Sequence, residues 1–377
     1  MPRPVPPAQP GSAPAPATGA EWKTNTSIPE LALWLRSVRT AIVVTHAKPD
    51  GDAIGSAMAV ARSLRAMNVN AQLMLVGPLP RWGGLILSEP GMPVPSRVLA
   101  PGTPCKPADG SEWDHPSPDA ILVVDTGSWS QLAELRSWLA PLAGRACVID
   151  HHLRGDGDTA ARRLVDCRAA SCTQVLAPLC TAILGLQSPT RLPREIAESL
   201  YLGLATDTGW FRYSNVTPDT LRLAADLCEA GADHTRLYRL IEQQDLPGRW
   251  KLLGRALNTL ELHHNGRAAT MELRRDDFAQ TGADRNDTSG FADMILTIQS
   301  VDVAAVLTEE DAGPGNTPLT KISFRSKPGA GAIDVNELAG KLGGGGHARA
   351  AGGKLQATLP DAKARLLEAL SRLQYRA

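Results

Sequence analysis

Three short apolar segments constrain the fold more than any other feature, because each one leads directly into acidic or histidine residues. The segments span residues 41–44, 120–124 and 146–149, and they are rich in valine and isoleucine. Runs of this kind are typical of strands that are buried on both faces of a parallel sheet. Strand-like and helical patterns then alternate along the chain. This alternation predicts an α/β fold with a doubly wound, mostly parallel sheet.

Polar residues follow each apolar run, and a fourth motif ends the stretch 201–207, which we interpret as a helix. In chain order the polar residues are His46, Asp50, Asp52, Asp125, Asp150, His151, His152 and Asp207. Since ligands of open α/β sheets gather at the carboxyl ends of the strands, we expect these residues to meet at one edge of the sheet. The spacing of His46, Asp50 and Asp52 on a tight loop would let all three face a single point.

The combination of these motifs predicts a metal centre. An isolated aspartate after a strand is usually a helix cap or a turn residue, and His263-His264, with no motif around it, is interpreted as an ordinary pair. Four motifs in sequence argue against that interpretation here. Mixed imidazole and carboxylate donors favour Mn²⁺ or a similar metal. Two such ions about 3.5–4 Å apart can hydrolyse a phosphate ester, and the isolated Asp125 suits the role of a bridging ligand.

Composition limits the class of substrate and the compartment. The formal net charge over 377 residues is zero, which argues against a broad basic surface for long nucleic acid. Six irregularly spaced cysteines are interpreted as reduced core residues rather than as disulfides or zinc ligands. No stretch is long and apolar enough to span a membrane, and the amino terminus lacks the apolar core of a signal peptide. We therefore expect a cytoplasmic protein.

A second chemical feature is a run of four glycines at 343–346, which His347 follows directly. Glycine is costly in regular structure, so we predict a turn whose backbone N–H groups point inward and bind an anion. A flexible linker is the alternative, and the apolar, well-patterned segments on both sides disfavour it. His347 would add a donor. Arg325 offers a planar fork for a phosphate or a stacking face for a base.

Four regions are predicted along the chain. They are a disordered tail rich in Pro and Ala (1–24), a catalytic domain (25–232), a helical linker (233–259) and a second, smaller α/β domain (260–377). In the second domain the strand candidates are 268–273, 301–307 and 319–325, and a helix is predicted over 333–342. The Pro- and Gly-rich stretch 77–118 is interpreted as a loop to which no chemistry is assigned.

With these motifs the chain resembles the DHH phosphoesterase superfamily, which is named for the triplet present here as Asp150-His151-His152. The resemblance begins at about residue 25. The segment 343–352 is similar to the hallmark of the DHHA1 domain. Within the superfamily the chain most resembles the bacterial oligoribonuclease and pAp phosphatase subgroup, the nanoRNases. The segments that carry this narrower resemblance are 46–56, 206–211, 214–218 and 323–326.

The resemblance implies two Mn²⁺ ions per site, with Mg²⁺ or Co²⁺ as alternatives. The implied ligands of one ion are His46, Asp50 and Asp125. Those of the other are Asp52, Asp125, His151 and Asp207, so that Asp125 bridges the two. His152 would face the substrate, Asp150 would orient an imidazole from behind, and a bridging water would be the nucleophile.

The resemblance also implies that the second domain holds the non-scissile end of the substrate. The implied binding residues are Arg325, Ser326, Gly344, Gly345, Gly346 and His347. The implied activity is degradation of short oligoribonucleotides to mononucleotides, dephosphorylation of pAp to AMP, or both, with neither long nucleic acid nor a membrane as partner.

Two alternatives and the oligomeric state stay open at this point. One alternative is a phosphodiesterase for cyclic dinucleotides or their linear products, such as c-di-AMP or pApA. That class usually carries membrane or sensory domains, which this sequence does not show. The other alternative is a nucleotide-binding protein without turnover, which the complete set of ligands disfavours. A homodimer is left open.

Overall fold

In the computed structural model the chain forms two compact units, residues 1–244 and 245–377. The structure describes residues 22–88, 93–103, 105, 118–313, 317–329, 332–373 and 375. The boundary between the units falls inside the stretch 233–259, which the sequence analysis interprets as a helical linker. This stretch contains two separate helices, of which one ends the first unit and the other begins the second.

The first unit is built around a parallel sheet whose described strands follow the order β3-β2-β1-β4-β5-β6. The strands are β1 (Thr40–Val44), β2 (Asn70–Val76), β3 (Ser96–Leu99), β4 (Ala120–Val124), β5 (Ala146–Asp150) and β6 (Arg162–Val165). Every neighbouring pair among them is parallel. The strand order reverses between β1 and β4. This point is a topological switch, where open α/β sheets bind ligands outside the carboxyl ends of their strands.

Alternate residues of each central strand belong to two different cores, which explains the uninterrupted apolar runs. Ala41 and Val43 pack into one core, whereas Ile42 and Val44 pack into the other. The helices of the unit are α1 (Ile28–Ser37), α2 (Gly51–Ala66), α3 (Gly83–Leu87), α4 (Arg136–Leu139), α5 (Cys172–Ile183), α6 (Arg194–Asp207), α7 (Pro218–Glu229) and α8 (His234–Glu242). The predicted α/β fold with a doubly wound sheet is confirmed.

Helices α2 and α6 approach each other very closely because each has a glycine at the crossing point, Gly55 in α2 and Gly203 in α6. A Cβ atom at Gly55 of α2 would lie 2.5 Å from the carbonyl oxygen of Ser199 and 2.8 Å from the nitrogen of Gly203. Such distances exclude a side chain. Helix α2 is accordingly buried from Gly51 to Leu64. The crossing fixes two helices that carry candidate acidic ligands.

Two sequence predictions for the first unit need correction. Residues 77–118 are not simply a loop, because they contain α3 and the edge strand β3, which pairs with β2. Residues 89–92, 104 and 106–117 of this stretch lie outside the described residues. Most of the predicted disordered tail, residues 1–21, also lies outside them. Residues 22–24 do not belong to such a tail, since Thr24 Oγ1 donates a hydrogen bond of 2.6 Å to the carbonyl oxygen of Val165 in β6.

The second unit contains a mixed sheet with the order β11-β12-β10-β9-β8-β7. Its strands are β7 (Glu261–His263), β8 (Ala268–Leu273), β9 (Val303–Glu309), β10 (Thr320–Ser326), β11 (Gly345–His347) and β12 (Ala350–Leu355). Its helices are α9 (Pro247–Asn258), α10 (Arg275–Thr281), α11 (Phe291–Ile295), α12 (Val335–Lys341) and α13 (Leu359–Ser371). The three predicted strands correspond to β8, β9 and β10, and β9 begins two residues later than predicted. Among the described helices none is long and apolar enough to cross a membrane.

Candidate metal centre

The carboxylate of Asp125 lies between two histidines at the middle of the site. Its Oδ2 is 3.5 Å from His46 Nε2, and its Oδ1 is 3.5 Å from His151 Nε2. Two ligand atoms that bind the same ion, each at about 2.1 Å, lie about 3–4 Å from one another. The observed separations are long for hydrogen bonds. They fit the spacing of ligands that share an ion.

The acidic and histidine side chains form three groups, within each of which the possible ligand atoms lie within 4.8 Å of one another, and one of these groups is Asp125, Asp150, His151 and His152. The other two groups contain the candidate ligands. One group is His46, Asp50 and Asp125, and the other is Asp52, His151 and Asp207. In the second group His151 Nε2 is 3.8 Å from Asp52 Oδ2 and 3.6 Å from Asp207 Oδ2. The expectation that His46, Asp50 and Asp52 face a single point is therefore wrong.

Backbone carbonyls orient the two imidazoles. His46 Nδ1 lies 2.9 Å from the carbonyl oxygen of Ala47, and His151 Nδ1 lies 3.3 Å from that of Ala169. A carbonyl oxygen can only accept a hydrogen bond, so each ring donates from Nδ1 and presents Nε2 to the carboxylates. Metal-binding histidines commonly adopt this arrangement.

The backbone and the burial of Asp125 both indicate a functional constraint. The residue follows β4 with φ of 60°, a left-handed conformation that costs a non-glycine residue about 1–2 kcal/mol. Its side chain is buried, and within the described part of the chain its Oδ1 accepts no hydrogen bond. An unpaired buried carboxylate oxygen is unfavourable. A bound cation would satisfy it, so the donor set fits a divalent metal.

The charges of the site are coupled. Burial disfavours protonation of His46 and His151, but the neighbouring carboxylates outweigh it and raise the pKa of each imidazole to about 10. Burial acts to raise the pKa of Asp125, but the two imidazoles reverse the effect and lower it. Burial raises the pKa of Asp207 to about 6, against the opposing charge of His151. Without metal, the neighbouring carboxylates therefore keep both imidazoles protonated at neutral pH.

Asp52 is held by the first turn of helix α5. Its Oδ2 accepts a hydrogen bond of 2.6 Å from the backbone nitrogen of Cys172, and its Oδ1 accepts one of 3.1 Å from that of Thr173. Burial and the neighbouring carboxylates raise the pKa of Asp52, and the Cys172 N–H opposes the rise. A Cβ atom at Gly203 would lie 2.6 Å from Asp52 Oδ1. Neither feature is predicted from the sequence, although a glycine inside a helix is costly and therefore signals a packing requirement.

Asp50 is the N-cap of helix α2 as well as a candidate ligand. Its Oδ1 accepts hydrogen bonds from the backbone nitrogens of Asp52 (3.1 Å) and Ala53 (3.0 Å). The same oxygen lies 3.9 Å from His46 Nε2. Gly51 follows because a Cβ atom there would overlap the side chain of Thr206 in α6. The cap thus orients the carboxylate at the junction between β1 and α2.

His152 has different contacts from His151. Its Nδ1 lies 2.7 Å from Asp150 Oδ1, whereas it lies 4.0 Å from Asp125 Oδ1. Asp150 Oδ1 also accepts hydrogen bonds from the backbone nitrogens of both histidines. The hydrogen bond with Asp150 raises the pKa of His152, and 48% of the His152 side chain is exposed. A half-exposed imidazole that favours the protonated state thus lies beside the candidate ligands.

Asn215 connects the segments that hold His151 and Asp207. Its Nδ2 donates to the carbonyl oxygens of Ala170 (3.0 Å) and Asp207 (3.3 Å). Between Asp207 and Asn215 the chain makes a left-handed turn, with φ of 55°, 57° and 63° at Gly209, Trp210 and Phe211. In the sequence this segment carried only a family resemblance. In the structure Asn215 holds the carbonyl of Asp207 and that of Ala170, which is next to the Ala169 carbonyl that accepts from His151.

The glycine run of the second unit is not a preformed anion site. Residues Gly345–His347 form strand β11, which pairs with β12. Gly344 N donates to the carbonyl oxygen of Ala339 (2.8 Å), and Gly346 N donates to Asn336 Oδ1 (2.8 Å). A Cβ atom at Gly344 would overlap the backbone of Gly352 in β12. The predicted nest of inward N–H groups is therefore wrong, and these glycines allow two strands to approach closely.

Of the side chains predicted to bind substrate in this unit, Ser326 needs correction. It is buried, its Oγ donates to the carbonyl oxygen of Ile333 (2.7 Å), and it accepts from Arg349 Nη1 (3.1 Å). Arg325 and His347 remain accessible at least in part. Arg325 pairs across the sheet with Ala350, and so does His347 from the other side. Residues in register on adjacent strands project from the same face, so the two side chains lie in one row.

Comparison with known proteins agrees with this architecture. Residues 40–204 match the DHH family, N-terminal domain, and residues 265–374 match the DHHA1 domain. The chain belongs to the DHH family of phosphoesterases. It is 30% identical to the bifunctional oligoribonuclease and PAP phosphatase NrnA of Thermus thermophilus, over 96% of each chain.

Two further relatives differ in their described activities. The chain is 27% identical to the cyclic-di-AMP phosphodiesterase PdeA of Listeria monocytogenes, over 87% of this chain and 47% of that protein. A crystal structure of an exopolyphosphatase-related protein from Bacteroides fragilis is similar in fold, with a TM-score of 0.76 at 22% identity. The match covers 92% of this chain and 95% of that chain.

Proposed function

We propose that this protein is a cytoplasmic two-metal hydrolase of phosphate esters in short nucleotides. It degrades short oligoribonucleotides to mononucleotides and dephosphorylates pAp to AMP. The observation that carries the proposal is the position of Asp125, which turns one oxygen towards each of two histidines and leaves the buried Oδ1 without a donor. The 30% identity to a bifunctional oligoribonuclease and PAP phosphatase supports the choice of substrate.

The residues at the site fit two divalent ions, with Mn²⁺ as the preferred metal and Mg²⁺ or Co²⁺ as alternatives. His46, Asp50 and Asp125 would hold one ion. Asp52, Asp125, His151 and Asp207 would hold the other. When bound, such ions activate a water, polarise the phosphoryl group and stabilise the leaving oxygen. The α5 N–H groups on Asp52 and the carbonyls on His46 and His151 keep the ligand atoms oriented.

His152 would act on the substrate rather than on the metals. Asp150 holds its Nδ1 and its backbone nitrogen, which leaves Nε2 as the free ring nitrogen. Because the contact with Asp150 favours the protonated ring, Nε2 can donate a hydrogen bond to a phosphoryl oxygen or to the leaving group. Such a donor stabilises charge that develops in the transition state.

In the second unit Arg325 and His347 would bind the non-scissile phosphate or base. They lie in one row across three strands, which places them about 10 Å apart on one face of the sheet. Arg325 Nε is also held by Asp293 Oδ1 at 3.2 Å, which limits its orientation. In this proposal Gly344 and Gly346 contribute by keeping strand β11 close to β12, whereas a Cβ atom at Gly345 would meet only Asn336 Oδ1 at 3.7 Å.

Hydrolysis of cyclic dinucleotides is the second candidate, and the 27% identity to a cyclic-di-AMP phosphodiesterase is the observation that favours it. The test is a panel of pAp, di- to pentaribonucleotides, pApA and c-di-AMP, each with Mn²⁺, Mg²⁺, Co²⁺ or a chelator. We expect pAp and the shortest oligonucleotides to be hydrolysed fastest with Mn²⁺ and not at all with the chelator. Faster hydrolysis of c-di-AMP would favour the second candidate. Binding without turnover under any metal would indicate a nucleotide-binding protein.

Asp125→Asn tests the metal centre within the same panel. Mutation of residues that hydrogen-bond to metal ligands lowers metal affinity or activity about 10–100-fold. Loss of the bridging carboxylate itself should therefore lower turnover more than about a hundredfold, and it should also lower the amount of bound metal. Asp219→Asn is the matched control, because Asp219 is exposed on α7 and contacts only Arg222 among the described ion pairs. Activity of Asp125→Asn near that of the wild type would exclude the assigned centre.

A further inference from the structure

The segment 22–25 lies along the edge strand β6, although the sequence analysis assigns most of it to a disordered tail. Asn25 N donates to the carbonyl oxygen of Arg163 (2.9 Å), and Arg163 N donates to Asn25 Oδ1 (2.7 Å). Val165 N donates to Thr24 Oγ1 (2.7 Å), which in turn donates to the carbonyl oxygen of Val165. This network brings the side chain of Trp22 to the carboxyl end of the sheet.

The indole of Trp22 lies between two loops that carry site residues. One loop contains Gly127, two residues after Asp125, and the other contains Gly155, three residues after His152. A Cβ atom at Gly155 would lie 2.6 Å from the indole ring, and one at Gly127 would overlap the ring. Neither glycine has a positive φ, so the indole alone explains why both positions lack a side chain.

Trp22 also holds the backbone of His152 directly. Its Nε1–H donates to the carbonyl oxygen of His152 (3.1 Å), to which Cys167 Sγ also donates (3.2 Å). On the other side of the residue, Asp150 Oδ1 holds the backbone nitrogen and Nδ1 of His152. His152 is therefore fixed from both sides, and half of its side chain stays exposed.

We propose that Trp22 is a positioning residue for His152. The indole packs between the loops after β4 and β5, and its N–H holds the carbonyl oxygen of His152, so that the His152 imidazole stays beside the carboxylate of Asp125. The inference rests on the proposed function, because it concerns the group that contacts the phosphoryl oxygen. It also makes the segment 22–25 a part of the catalytic unit.

Trp22→Phe removes the N–H donor and keeps an aromatic ring. A neutral hydrogen bond contributes about 0.5–1.5 kcal/mol, so kcat for pAp should fall about two- to tenfold. The dissociation constant of inorganic phosphate from the Mn²⁺-loaded protein, measured by calorimetry, should rise by a similar factor, whereas metal content should not change. Trp34→Phe is the matched control. Trp34 lies on helix α1, where its ring stacks on Arg162 of β6, so this variant should leave kcat, phosphate binding and metal content unchanged.

A double-mutant cycle separates positioning from general loosening. Gly127→Ala should lower kcat about tenfold in the wild type, because the new methyl group displaces the indole. In a Trp22→Ala background the same change should cost less than about twofold. The loops should stay attached in every variant, since Asp156 N and Thr159 Oγ1 both donate to the carbonyl oxygen of Gly127. Thermal unfolding checks that the variants are folded.

The outcomes distinguish this inference from the proposed function. If the wild type hydrolyses no nucleotide of the panel, the proposed function fails, and phosphate binding still decides the role of Trp22. If Trp22→Phe binds phosphate and turns over pAp like the wild type, Trp22 does not position His152. Loss of metal in Trp22→Phe, or additive losses in the cycle, would overturn the inference as well.

Discussion

The metal centre of the first unit and the glycine run of the second both carry a strong sequence motif, yet they differ in what the fold leaves without a partner. At the centre, Oδ1 of Asp125 is buried and has no hydrogen-bond donor among the described residues. In the glycine run, the N–H groups of Gly344 and Gly346 donate within the chain. Because buried polar groups are normally satisfied, an unsatisfied group indicates a ligand. Glycines whose N–H groups already have acceptors within the chain instead indicate close packing of the backbone.

The two regions also differ in how their residues are held. Asp125 and His151 follow parallel strands buried on both faces. His347 ends a strand of three exposed residues at the edge of its sheet. Buried strand ends preorganise charge, which suits chemistry. An edge strand can adjust to ligands of different shape, which suits binding. We therefore expect changes at the centre to have the larger effects.

The largest effect should be the pH dependence of metal affinity. His46 and His151 each have a pKa of about 10 without metal, so below that pH an incoming ion must displace a proton from each ring. Every displaced proton makes the affinity rise about tenfold per pH unit, and two give about a hundredfold per unit between neutral pH and the imidazole pKa. Calorimetric titration with Mn²⁺ in buffers of different ionisation enthalpy should give about two protons released. Release of none would contradict the assigned ligands.

A smaller effect is expected for His347→Ala. If His347 holds the non-scissile end of the substrate, kcat/KM for pAp and dinucleotides should fall about ten- to a hundredfold, as for a hydrogen bond to a charged group. A small phosphodiester such as bis(p-nitrophenyl) phosphate should be hydrolysed at the wild-type rate. His264→Ala is the control in the same unit, since His264 stacks on Tyr375. Equal loss on both substrates would remove His347 from substrate binding.

The smallest effects should come from the glycines themselves. A Cβ atom at Gly344 would overlap β12, so Gly344→Ala should lower the free energy of unfolding by about 1–3 kcal/mol. At Gly345 the nearest atom to a new Cβ atom is Asn336 Oδ1 at 3.7 Å. Gly345→Ala should therefore change the free energy of unfolding by less than about 0.5 kcal/mol. Urea unfolding of the full chain measures both. Loss of pAp binding in a stable Gly345→Ala protein would instead support the prediction that the glycine run binds an anion.

The sequence predicts the strands well where both faces are buried, because residues 41–44, 120–124 and 146–149 are then continuously apolar. It does not predict β3, whose residues Ser96–Leu99 are mostly exposed or half-buried and show no apolar run. The prediction that residues 22–24 belong to a disordered tail is wrong for a similar reason. Residues 22–25 are held on β6 by polar side chains and backbone groups, which leave no hydrophobic pattern.

At the site, the residue types could be predicted, but their support could not. The donors to Asp52 come from Cys172 and Thr173, about 120 residues further along the chain, and they are backbone groups without a sequence signature. Glycine gave an ambiguous signal. Both Gly344 and Gly203 lie where another group comes too close for a side chain. Only the structure shows that this group is the backbone of β12 at Gly344 and the carboxylate of Asp52 at Gly203.

The crossing of α2 and α6 at Gly55 has a consequence for the size of ion that the site accepts. Backbone atoms of the two helices meet there without side chains between them, so moving the helices apart would lose this packing and leave a gap at the crossing. Ligand distances are about 2.0–2.1 Å for Mg²⁺ and about 2.3–2.6 Å for Ca²⁺. If Asp52 on α2 and Asp207 on α6 hold an ion as proposed, moving them apart by this difference would strain the crossing. We therefore expect Ca²⁺ to bind the proposed centre less tightly than Mg²⁺ or Mn²⁺, which parallel titrations with the three ions would measure.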